Sequence, residues 1–218
     1  MRFSKLLVIP LLAAVCVDAQ ESAPAKIEKK GIPPRAAPTD YQAHADASSL
    51  TVAAEFHGHT IPTMEGLLTS EEYIVVEAAL FGPTGSKTKL ALEDFSLRIN
   101  GKKNPLPSQS DVLVFKSVKD PEWEPPVKVE KGGKTSIGGG GKGGQGDAGG
   151  LPPVVHVPLE LQRAWSQRVQ KAAIAEGDRE LPLAGLIFFR YGGKTKGLTL
   201  ELIYSGPGGK ATLALEPE

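Results

Sequence analysis

Cysteine is nearly absent from this sequence. Cys16 is the only one in 218 residues, which excludes an internal disulfide framework and a metal centre built on several thiolates. Charge of one sign is also lacking. The chain carries 25 basic and 25 acidic residues, so no global field points to nucleic acid or anionic lipid as a partner. Aromatic residues make up 6%, with tryptophan only at Trp123 and Trp165, too few for an aromatic sugar-binding platform. No apolar run outside residues 6–17 approaches the length that crosses a bilayer, and no internal repeat is visible.

The motifs of common chemistries are missing too. There is no G-x-S-x-G around a serine nucleophile. The tract "GGGGKGGQGDAGG" is no phosphate-binding loop, because Gly143 follows Lys142 where a hydroxyl residue is needed and the extended "LPPVVHVP" comes next. Adjacent acids, Glu71 and Glu72, Glu93 and Asp94, Glu122 and Glu124, have the form of the carboxylate pairs used in glycoside hydrolysis, but they read as solvated loop charges. Nothing assembles a nucleophile, a base and oxyanion donors. The expectation is a protein without enzymatic activity and without a cofactor.

What the N-terminus does hold is a charged start at Arg2 and Lys5, the apolar run "LLVIPLLAAVCV" of 12 residues, and "VDA" before Gln20. This is the pattern of a signal peptide over residues 1–19, which implies export to the periplasm, the cell surface or the medium. A second reading makes Cys16 a lipid-anchored residue, although Val15 before it is large for that role. Removing Arg2, Lys5 and Asp18 with the signal leaves 23 basic and 24 acidic residues, a formal charge of −1. Residues 20–40, with Pro24, Pro33, Pro34 and Pro38, read as an extended linker, and the domain is expected over residues 41–217.

Within it, strands are expected at "SLTVAAEF" (49–56), "YIVVEAALFG" (73–82) and "LALEDFSLRINGKK" (90–103), the last closed by an Asn-Gly turn. Residues 57–72 read as a loop broken by Gly58, Pro62 and Gly66, and "DVLVFKSV" (111–118) as a further short strand. "LIFFRYGGKTKGLTLELIY" (186–204) reads as a hairpin: "LIFF" is an apolar run buried on both faces, and Leu198, Leu200 and Leu202 alternate with polar residues. "ATLAL" (211–215) adds a strand after "SGPGGK".

An insert is expected over residues 119–180. It contains a flexible stretch at 131–150, with eleven glycines, that cannot bury enough surface to offset its ordering entropy. A helix follows over residues 159–176, where Leu161, Trp165, Val169 and Ala172 or Ala173 form one apolar stripe. That stripe either caps the sheets or docks on a protein partner with Trp165 as anchor, flanked by Leu161 and Val169. His57 and His59, two residues apart, are the candidate metal ligands, with His44 and His156 as further donors.

The order "YIVVEAAL", "LEDFSLRINGK" and "LPLAGLIFFRY…LTLELIY" resembles secreted bacterial immunoglobulin-like modules of the immunoprotective extracellular antigen type, often attached to lipoproteins. The likeness covers residues 73–103 and 181–204. It implies an exported β-sandwich and carries no catalytic residues. The whole chain is similar, too, to exported proteins of soil bacteria. Together these readings give a mainly β protein, an immunoglobulin-like sandwich with a glycine-rich loop and one helix inserted before its last strands. Its expected role is as a binding or structural module with a protein partner in the cell envelope or outside the cell. The alternative is a small-ligand or metal-binding protein using the His57/His59 loop.

Overall fold

The computed structural model describes residues 29–125 and 156–217. The signal segment with Cys16, the first part of the linker and the glycine-rich 131–150 lie outside the described residues. The described chain runs through β1 (Ala43–Ala47), β2 (Leu50–Gly58), β3 (Thr60–Thr63), β4 (Gly66–Ser70), β5 (Tyr73–Phe81), β6 (Lys87–Leu90), β7 (Phe95–Ile99) and β8 (Leu106–Gln109). It continues with α1 (Asp111–Val114), β9 (Val118–Lys119), α2 (Leu159–Ala172), β10 (Gly177–Glu180), β11 (Leu183–Arg190), β12 (Leu200–Gly206) and β13 (Gly209–Leu215). The protein is mainly β, as its alternating apolar patterns imply. No described helix is long and apolar enough to cross a membrane.

β5 sets the architecture. Eight of its nine residues are apolar, Glu77 being the exception, and every one except Phe81 is buried. Because successive side chains point to opposite faces, both faces of β5 must be covered. Ile74, Val76, Ala78 and Leu80 face an interior shared with Val52, Phe95, Leu97, Phe189, Leu202 and Tyr204. Tyr73 and Val75 face outwards, into a second core with Ile61, Leu68, Val114, Trp165, Val169 and Phe188. β11 divides the same way, Ile187 and Phe189 inward, Leu186 and Phe188 outward.

Eight antiparallel strands form one sheet in the order β1-β2-β5-β11-β8-β7-β12-β13. It curls until its edges meet. Gln42 Nε2 donates to the Glu216 carbonyl at 2.6 Å, and Ser49 N donates to the Gly208 carbonyl at 3.1 Å. The sheet is therefore barrel-like. β8 joins its halves by pairing with β11 through Ser108 and Gln109 and with β7 through Leu106 and Pro107. Large side chains fill the interior, among them the tilted pair Phe95 and Tyr204 with ring centroids 5.2 Å apart.

Outside β5 and β11 lies a cover. It consists of the β3-β4-β9 sheet, α1, α2 and the N-terminal residues from 29 onward. α2 ends sooner than the expected residue 176, at Ala172. Ala173 turns extended and bridges in parallel to Leu186, and Ile174 N donates to the Leu186 carbonyl at 3.0 Å. Gly185 makes this approach possible, since a Cβ there would lie 2.5 Å from Ile174 Cα.

Several expectations are corrected by tertiary pairing. β11 and β12 do not form a hairpin: β11 pairs with β5 and β8, β12 with β7 and β13. Residues 57–72 are not an irregular loop but hold the hairpin β3–β4, in which Pro62 is tolerated because β3 is an edge strand. Residues 111–118 are not a strand. Residues 111–117 turn as α1 and a 3₁₀ turn, burying Val114 and exposing Val112 and Leu113, and only Val118 enters a strand, β9. Residues 29–40, within the expected linker, are docked: Gly31 N donates to the Lys171 carbonyl at 3.1 Å and Ile32 N to the Ala184 carbonyl at 3.0 Å. A Cβ on Gly31 would stand 2.0 Å from the Ala184 carbonyl oxygen, so only glycine permits this contact. The Asn-Gly turn does form, with Asn100 and Gly101 both at positive φ between β7 and β8, as a tight hairpin turn requires.

Candidate functional site

A polar cluster lies on the outer face of β2 and β5. Glu55 and Glu77 are direct cross-strand partners in the β2–β5 register, which places two carboxylates side by side. Glu77 is buried, its side chain only 6% exposed. An unpaired charge there would be costly, and two side chains, His57 and Arg35, answer it. His57 Nε2 lies 3.1 Å from Glu77 Oε2, Arg35 NH2 lies 3.6 Å from the same oxygen, and Arg35 NH1 pairs with Glu55. The Arg35 guanidinium also stacks over the Tyr41 ring, 4.5 Å from its centroid, and donates to the Asp40 carbonyl at 2.5 Å. The Arg35 backbone N–H donates to the Tyr41 hydroxyl at 3.1 Å.

The hydrogen bond from Arg35 to Glu55 holds the guanidinium above its ordinary pKa, against the opposing effect of burial. Burial pushes the Tyr41 phenol up. Both carboxylates are thus engaged within the protein, Glu55 by Arg35 and Glu77 by Arg35 and His57. The cluster works as a clasp that holds the N-terminal segment on the sheet.

The two histidines are not brought to one ligand. A β-bulge between Phe56 and Gly58 breaks the alternation that would aim them to the same side. His57 is turned to Glu77, while His59 sits among backbone carbonyls. Its Nδ1 lies 2.9 Å from both the Ser70 and Tyr73 oxygens, and its Nε2 lies 3.0 Å from the Gly193 oxygen. Both ring nitrogens of His59 thus face backbone carbonyl oxygens. A metal needs a free lone pair on one of them. Among the described residues no three histidine, cysteine or acidic side chains gather as a metal site. His44 stands on β1, away in the fold, paired in register with Ala53.

The apolar stripe of α2 faces the protein itself. Trp165 and Val169 are buried and Leu161 is partly buried, packed with Ile61, Leu68, Val118 and Phe188. Trp165 meets Trp123 edge-on at 6.1 Å. This is the arrangement of the capping alternative, with the anchor tryptophan inside the molecule.

Comparison with protein-family models, with curated proteins and with solved structures gives no match. The site rests on its own geometry.

Sequence reasoning missed Arg35, Glu55 and Glu77. Glu77 left a signal, a single acid in the middle of "YIVVEAALF". An acid within a strand buried on both faces needs a partner. Arg35 left none, because a proline-flanked arginine reads as solvated linker.

A second buried acid pins the same segment. The Asp111 side chain is fully buried and Lys29 Nζ lies 2.5 Å from its Oδ1. Its Oδ2 has no hydrogen-bond partner among the described residues. Lys29 also approaches Glu176 at 3.7 Å, so one lysine ties the N-terminal segment to α1 and to the segment after α2.

Proposed function

We propose that the protein is an exported, non-enzymatic binding module that engages a protein partner in the cell envelope or outside the cell. One observation carries this reading. The large apolar side chains left exposed among the described residues are Met64, Leu67, Val112, Leu113 and Leu159. All five belong to the cover (the β3–β4 hairpin, α1 and α2) and none to the eight-stranded sheet. A cover needed only to seal a core would carry its large apolar groups inward. Exposed ones on a protein surface are the ordinary material of contact with another protein.

Three further points support the reading. The filled interior of the sheet leaves the outside as the working surface. The acidic clusters on the β2–β5 face are engaged internally rather than poised for chemistry. The N-terminal signal pattern supports export. The immunoglobulin-like reading belongs to this proposal as well: β1-β2-β5-β11 and β7-β12-β13 face one another across the interior as the sheets of a sandwich do, with β8 as the strand shared between them. The alternative use of His57 and His59 for a metal gains nothing from rings already directed at Glu77 and at three carbonyls.

The test is a pair of surface substitutions, Leu67→Glu and Leu113→Glu, in the full chain. Both positions are exposed, so the thermal midpoint should hold. Retention of the exported protein in the envelope fraction should fall. Retention unchanged by both substitutions would overturn the assignment of the surface, and absence of the protein from every exported fraction would overturn export.

A further inference from the structure

A cavity of about 260 Å³ opens between the β3–β4 turn, the last turn of α2 and the docked N-terminal residues. Pro33, Met64 and Ala172 line it with carbon, together with the stems of Lys30, Arg168 and Lys171. Its size falls between an apolar cavity of about 150 Å³ that takes benzene and the roughly 300 Å³ at the lower end of ligand sites. One aromatic ring or a short alkyl chain fits that range. Met64 is 76% exposed, and its unbranched thioether can close over a flat guest.

The charges around the cavity do not cancel. Arg168 is held by Asp120 at 3.4 Å and by Thr63 Oγ1 at 3.3 Å, and Lys171 by Glu65 at 3.3 Å. Lys30 has no carboxylate partner among the described residues. The lining thus offers an apolar slot beside one ammonium that no carboxylate of the described residues compensates. We propose that this cavity binds a small apolar carboxylate, with the ring or chain between Pro33, Met64 and Ala172 and the carboxylate at Lys30. This goes beyond the protein-partner reading and is tested on the purified chain alone, so either stands if the other fails.

The chain has two methionines, Met1 and Met64, so the Met64 methyl is a local reporter in a ¹³C-methyl spectrum, assigned with Met64→Leu. The probes are phenylacetate, its neutral isostere phenylacetamide and the cation 2-phenylethylammonium. Phenylacetate should give a saturable ring-current shift of the Met64 methyl, with weaker binding of the other two. Lys30→Glu should weaken phenylacetate about fivefold, the equivalent of about 1 kcal/mol for an exposed ion pair, and leave phenylacetamide unchanged. Ala172→Leu, which fills the slot, should abolish the shift. Because Ala172 is buried, the exposed Lys30 variant carries the decision if that protein fails to fold. A shift that stays linear, no shift at all, or an affinity indifferent to probe charge and to Lys30→Glu would overturn the proposal.

Discussion

Arg35 matters through what its loss would leave behind. It pairs with Glu55, about a third exposed on both sides, and exposed pairs of this kind contribute about 0–1 kcal/mol. It also faces the buried Glu77, and breaking a buried pair costs about 3–5 kcal/mol. Since His57 stays at Glu77, Arg35→Ala should fall between these limits, at about 1–3 kcal/mol by denaturant unfolding. A loss inside the range of a surface pair would show that His57 alone satisfies the carboxylate. Trp165 is simpler. It is buried among large side chains, so Trp165→Ala should cost about 3–5 kcal/mol, and a thermal midpoint unchanged by this substitution would return Trp165 to the role of exposed anchor. Tyr204 adds a pH dependence. Burial raises its pKa, partly offset by the hydrogen bond from Gly208 N. The folded state therefore keeps a proton that the unfolded state releases near pH 10. The stability from this group is complete below that pH and is lost as pH rises through the folded value. The midpoint of urea unfolding should drop on going from about pH 9 to about pH 11, and Tyr204→Phe should flatten that drop.

The elements differ in how much of them was written locally. β5 and β11 were legible because burial on both faces leaves apolar runs, broken in β5 only by Glu77. The Asn100-Gly101 turn was legible because its backbone needs residues that accept positive φ. What failed was pairing between distant strands. "LIFF" and "LELI" both lie in strands, yet β8, weakly patterned as Leu-Pro-Ser-Gln, sits between β11 and β7 and separates β11 from β12. α1 failed because Val112 and Leu113 are exposed, so an apolar run that reads as a strand is in fact half surface. Residues 29–40 failed because proline-rich composition says nothing of what it lies against. That docking has its own test. The Ile32 amide, which donates to Ala184, should exchange slowly with solvent, and Gly31→Ala should speed it by placing a Cβ against the Ala184 oxygen. Exchange as fast as in an unstructured peptide in the unaltered chain would contradict the docked segment.

At the scale of the whole molecule, a filled, curled sheet carries an asymmetric cover. Over β7, β12 and β13 the outer face presents Arg98, Glu201, Lys210 and Thr212 with the half-buried Ile203 and the exposed Ala214 among them, mostly polar and without a covering element among the described residues. Over β5 and β11 lies the layer with the exposed Met64, Leu67 and Leu113. The candidate site was only partly legible for the same reason. The stripe of α2 was found, but its inward direction depends on β5 and β11 having an outer face to cover. The clasp of Arg35, Glu55 and Glu77 exists only where β2, β5 and the N-terminal segment meet. The most direct measurement places a photo-reactive amino acid singly at Leu67 and Leu113 on the cover, and at Lys210 and Thr212 on the open sheet face, in the exported protein in its native envelope. The account predicts one discrete cross-linked protein from the cover positions and none from the sheet positions. Cross-links from Lys210 and Thr212 alone, or from no position, would contradict it.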